Sequence, residues 1–128
     1  WGAAALLNAI DEGLAGIVNA GFGYDAIDFA PRWTVTPYDN VRYLTGYEAF
    51  GKTVDCRHVR TEKGLRYRLE SPAKRIRAHI LLPEGKDAAA LYVNGVETPF
   101  AVTTVDASRY VDVTVTPERG VADFEVLY

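Results

Sequence analysis

Ala89-Ala90-Leu91-Tyr92-Val93-Asn94-Gly95-Val96 reads as a strand that enters a two-residue turn and starts back. Asn-Gly is the pair best suited to a tight β-hairpin, because both central residues of that turn need a positive φ. Working outward, the same period of two recurs. Upstream, Arg75 to Leu82 places Ile76, Ala78 and Ile80 on one face against Arg75, Arg77 and His79, and Pro83-Glu84-Gly85-Lys86 turns the chain. Leu65, Tyr67 and Leu69 alternate with Arg66, Arg68 and Glu70 after the turn Thr61-Glu62-Lys63-Gly64. Before that turn, Thr53 to Arg60 alternates Val54, Cys56 and His58 against Asp55, Arg57 and Val59. Further strands are expected over Ala26 to Phe29, Val41 to Leu44, Tyr110 to Val115 and Val121 to Leu127. About eight or nine short strands with no helix between them predict an antiparallel β-sandwich.

The first twenty residues follow another period. Leu6, Ile10, Leu14 and Ile17 recur at steps of three and four, so one N-terminal α-helix is predicted from Gly2 to about Ala20. Gly13 and Gly16 are poor helix formers, and close approach of a neighbouring backbone is the expected reason for them. Gly21-Phe22-Gly23 reads as the helix stop. A lone helix of this length is marginal in water, so its apolar stripe must pack on something. The chain opens on Trp1 and has no methionine, and is expected to be a piece of a larger protein.

Composition narrows the function. The 128 residues make one ordinary domain, and at this size folding buries roughly two thirds of the unfolded surface. Hydrophobic residues at 48% are too many for a disordered chain. A net charge of -3 argues against a nucleic-acid partner. No apolar run is long enough to span a bilayer. One cysteine excludes a disulfide framework.

The segment Trp1-Gly2, Leu6-Leu7-Asn8-Ala9-Ile10 and Glu12-Gly13-Leu14-Ala15-Gly16-Ile17 resembles the final helix of the six-hairpin, or α/α-toroid, glycosidases. The following Ala26-Ile27-Asp28-Phe29-Ala30-Pro31-Arg32-Trp33 is similar to the first strand of the sandwich that follows the toroid in α-L-rhamnosidase-like enzymes. Leu81-Leu82-Pro83-Glu84-Gly85 and Tyr92-Val93-Asn94-Gly95 fit the same pattern. The resemblance implies that residues 1–22 end a helical toroid domain and that 23–128 form a C-terminal β-sandwich. It also implies that the sandwich braces a helical catalytic domain, its partner, which would hold the catalytic carboxylates.

No catalytic set, cofactor site or metal site is expected in this chain. Asp11 and Glu12 are adjacent on the predicted helix and diverge too far to flank one glycosidic bond. Asp25 and Asp28 bracket the first strand and read as turn and surface residues. Cys56 and His58 share a strand face, yet zinc takes three or four ligands. With His79 they are the only candidates for an unfamiliar enzyme site. Trp33, Tyr38, Tyr43 and Tyr47 are the constellation of interest. They would either stack on sugar rings, as in a carbohydrate-binding module with carbohydrate as partner, or form core and interdomain seam. Arg66, Arg68, Arg75 and Arg77 would form one basic stripe if their strands pair.

Overall fold

The computed structural model describes residues 13–47, 49 and 51–128, with the backbone alone for Tyr47. Eleven strands run through the described residues: β1 (Ile17–Asn19), β2 (Ala26–Phe29), β3 (Asn40–Tyr47), β4 (Lys52–Arg60), β5 (Gly64–Glu70), β6 (Arg75–Leu81), β7 (Ala90–Val93), β8 (Val96–Glu97), β9 (Ala101–Val105), β10 (Ser108–Val115) and β11 (Val121–Leu127). They form two sheets. One has five strands in the order β1-β2-β6-β10-β9; the other has six in the order β3-β4-β5-β11-β7-β8. All pairings are antiparallel except β2 with β6.

The alternating apolar residues meet between the sheets. Ile27, Phe29, Ile76, Ala78, Ile80 and Val111 of the first sheet are buried, as are Val54, Leu65, Tyr67, Leu69, Phe124 and Val126 of the second. Aromatic contacts cross the layer. The Phe29 ring stands edge-on to Tyr67 at 5.5 Å and lies 6.1 Å from Phe124. The expected β-sandwich is therefore present, built on period-two burial.

Three expectations are corrected. First, the predicted helix does not run to Ala20. Its residues 2–12 lie outside the described part, but Ile17–Asn19 is strand β1, paired antiparallel with β2. Gly16 explains the change. Its φ of +63° is left-handed, and a Cβ there would collide with the Ala30 carbonyl. The close backbone approach expected of Gly16 is real, but it is made to Ala30 beside a sheet edge. Gly21-Phe22-Gly23 accordingly lies in the β1–β2 hairpin loop, where Asn19 Oδ1 accepts from the N–H groups of Gly21 and Tyr24.

Second, the strands number eleven rather than eight or nine, because β1 and β9 were not anticipated. Third, there is no single arginine stripe. β5 pairs with β4 and β11, whereas β6 pairs with β2 and β10 in the other sheet. Arg66 and Arg68 thus lie on the opposite outer face from Arg75 and Arg77.

The turn chemistry holds where it was read. Asn94 (φ 50°) and Gly95 (φ 79°) close the β7–β8 hairpin with the two positive φ angles such a turn needs. The segment 61–63 joins β4 to β5, with Thr61 N–H donating to the Gly64 carbonyl at 2.9 Å. No helix among the described residues is long and apolar enough to cross a membrane.

Candidate functional site

The connection from β2 to β3 crosses from one sheet to the other at one end of the sandwich. Pro31 stops β2, and Trp33–Val35 make one turn of 3-10 helix. Thr36 holds that turn, its N–H and its hydroxyl both donating to the Trp33 carbonyl, at 3.0 and 2.6 Å. The Trp33 side chain drops into the core, 7% exposed, with its ring 6.2 Å from that of Tyr43.

Two side chains of β4 then fasten the loop from beneath. Arg60 Nε donates to Asp39 Oδ1 at 2.9 Å. Its terminal nitrogens donate to the carbonyls of Thr34 (3.0 Å), Thr36 (2.9 Å) and Tyr38 (3.3 Å). The Arg60 side chain keeps only 18% of its exposure, so one guanidinium satisfies most of the loop's inward carbonyls. His58 Nε2 lies 3.3 Å from the Tyr38 carbonyl. A carbonyl only accepts, so Nε2 carries the hydrogen and Nδ1 is bare.

The loop thus buries Trp33 and turns its other apolar residues outward. Val35 and Tyr38 are each 62% exposed, and Pro37 is exposed between them. Beside the loop runs a groove of mixed character, lined by Val35, Leu82 and Pro83 and equally by Glu84, Lys86 and Arg109. Arg109 is paired with Asp87, and Lys86 Nζ sits 5.5 Å from the Tyr128 ring.

The anticipated aromatic constellation is thereby divided. Trp33 is core, Tyr43 is partly buried against it, Tyr38 points to solvent, and the Tyr47 side chain lies outside the described residues. Trp33 does not offer a ring face to a sugar. Of the expected helix stripe, Ile17 is buried in the sandwich core and Leu14 packs against it. Leu6 and Ile10 lie outside the described residues, as do Asp11 and Glu12.

Cys56 and His58 do share the inner face of β4, where both are buried. Burial pushes the Cys56 thiol up to about 12, so it is no nucleophile at neutral pH. Burial lowers the His58 pKa, and nearby Arg60 adds to the effect against the hydrogen bond to Tyr38. Burial also raises the Tyr67 phenol. The bare His58 Nδ1, Trp33 Nε1 and Tyr67 hydroxyl are buried without a protein partner among the described residues. Among the described residues no three His, Cys, Asp or Glu side chains converge on one point where a metal could sit. Asp28 pairs with Arg77 on the surface, 2.9 Å away.

What sequence reasoning missed here is Arg60. Its only sequence signal is a position at the end of a strand, opposite an irregular Pro-containing segment that needs its carbonyls satisfied. No protein-family model matches this chain, and no curated protein matches it.

Proposed function

We propose that this sandwich is a non-catalytic accessory domain of a carbohydrate-active enzyme, a glycoside hydrolase with a helical toroid, and that it braces the helical catalytic domain. The observation that carries the reading is the clamped loop. Arg60 and His58 make part-buried hydrogen bonds that hold the loop, and Val35, Pro37 and Tyr38 stand exposed beside a groove with both apolar and polar walls. Apolar residues presented on a rigid support suit docking to another folded surface, because little conformational freedom is left to lose on contact. The inward turn of Trp33 supports bracing over the alternative, a carbohydrate-binding module on surface aromatics. That alternative needs two or three exposed coplanar rings, and among Trp33, Tyr38 and Tyr43 only Tyr38 is prominent. The class of partner is taken from the sequence resemblance of the opening segment alone, whose end, Ile17–Asn19, belongs to the sandwich as β1.

The test is to express the proposed helical domain with and without this chain. The expected result is a higher unfolding temperature for the helical domain when the sandwich is present. The gain should disappear with Val35→Asp and Tyr38→Asp. A helical domain indifferent to the sandwich, or glycosidase activity in the sandwich alone, overturns the reading.

A further inference from the structure

The outer face of the five-stranded sheet carries a second cluster, unrelated to the loop. Along β6 the outward residues are Arg75, Arg77 and His79; along β10 they are Tyr110, Asp112 and Thr114. Strand register sets His79 directly across from Asp112, and sets Arg77 between Asp28 and Thr114. Asp112 is engaged twice. Its Oδ1 is in close contact with His79 Nδ1, and its Oδ2 accepts from the Thr103 hydroxyl of β9. The carboxylate accepts, so His79 Nδ1 carries the hydrogen, and in the neutral imidazole Nε2 has a bare lone pair. The imidazole also lies flat on Tyr110, with ring centroids 3.9 Å apart and planes 9° from parallel. A hydrogen bond at one edge and a ring beneath fix both the tautomer and the tilt.

His79 Nε2 has no protein partner among the described residues, and the ring borders a shallow depression with Asp28, Ala30, Arg77 and Thr114. Arg77 uses Nε and one terminal nitrogen on Asp28, leaving its other terminal nitrogen free to donate. Phe29, Ala78 and Val113 also line it, and the polar groups it offers are the acceptors His79 Nε2 and Asp28, the Arg77 donor and the Thr114 hydroxyl. Only a group that both donates and accepts matches such a set, and a hydroxyl does. An anion only accepts, and here it would face two carboxylates against one guanidinium that is already paired. A metal would need three or more converging ligands, and no such group of His, Cys, Asp or Glu forms among the described residues.

We propose that this face binds the adjacent hydroxyls of a neutral sugar or similar polyol, with His79 Nε2 and Asp28 accepting and Arg77 donating. Asp112 and Thr103 act as positioning residues through His79. The proposal uses none of the loop residues that Arg60 and His58 hold, and it stands or falls independently of bracing.

The chain has two histidines, and buried His58 serves as an internal reference. The test titrates the full chain with the methyl glycosides of glucose, galactose, mannose and rhamnose while the imidazole nitrogen resonances are followed. At least one glycoside should shift His79 Nε2 saturably and leave His58 unmoved. His79→Ala and Arg77→Ala, checked for an unchanged unfolding midpoint, should each weaken binding about tenfold or more, the scale of one lost hydrogen bond. Asp112→Ala should weaken binding and turn His79 into a mixture of tautomers, which loss of packing alone would not do. Methyl glucuronide should bind more weakly than methyl glucoside. No saturable shift with any of the four, binding that survives His79→Ala, or tighter binding of the glucuronide or of inorganic phosphate overturns the proposal.

Discussion

Arg42 and Arg60 belong to the same pair of strands, but Arg42 meets an aspartate across the pair whereas Arg60 meets one in the loop before it. Arg42, in β3, makes a bidentate pair with Asp55 on the outer face of the six-stranded sheet, with 56% of its side chain exposed. That face is a lattice of such pairs, with Arg66 on Asp123 and Arg68 on Glu70. Arg60 also meets a carboxylate, but it reaches three main-chain carbonyls as well and is mostly covered. The difference teaches that an arginine's worth follows from what loses its partner when it is removed. Asp55 would turn to water. The carbonyls of the 33–39 loop would have to be rehydrated by moving the loop itself.

The largest expected effect at the loop end comes from its anchor. Trp33→Ala should cost about 3–5 kcal/mol, the usual result of emptying a large aromatic site in a core. Chemical denaturation measures it. An effect below about 1 kcal/mol would mean that the loop is held from outside rather than from within.

Arg60→Ala should come next, at about 1.5–3 kcal/mol, the range for hydrogen bonds made by a charged donor. Arg60→Lys should not restore it, because a single ammonium cannot span the carboxylate and three carbonyls. Hydrogen exchange at residues 34–39 should rise in both variants, and full rescue by lysine would erase the contrast with Arg42.

The buried His58 adds a pH dependence near neutrality, above the acidic range in which an outer-face carboxylate such as Asp55, lowered by its hydrogen bond with Arg42, titrates. Its folded pKa is lowered by burial, so below the ordinary value of about 6.5 the unfolded chain binds a proton that the folded chain refuses. Stability is complete above about 6.5 and declines as the pH falls from there toward the folded value, by at most about 1.4 kcal/mol per pH unit for one proton. Stability that rises on acidification through this window, after allowance for carboxylates, would contradict it.

The smallest effect belongs to Arg42→Ala. The unfolding midpoint should not move measurably, and added salt should not change that outcome, because exposed pairs contribute little. A clear loss of stability would show that the outer lattice acts as a network and would blunt the comparison.

Much of this was legible in the chain before folding was considered. The strand limits for Ala26 to Phe29 and Val121 to Leu127 coincide with β2 and β11, and the face shared by Cys56 and His58 is the inner face of β4. The failures have definite causes. Ile17 and Val18 are equally good on a helix stripe or in an edge strand, and only the contact of Gly16 with Ala30 decides. Ala101–Val105 escaped notice because every residue of β9 is exposed, so no alternation in burial shapes its composition. The aromatic group was read as one set because its members are close in sequence, but Trp33 and Tyr38 sit on opposite sides of a turn. The His79–Asp112–Thr103 chain joins residues up to 33 positions apart and has no local signal at all.

The amino-acid order on its own determined the local conformations: the Asn94-Gly95 turn, the period-two strands and the apolar faces that must meet. These depend on steric limits and burial, which act over a few residues. Which sheet each strand joins, which arginine becomes a clamp and which histidine is left with a bare nitrogen were decided only by the tertiary structure. Those outcomes depend on strand register, and register is a property of pairs of segments that are remote in the chain.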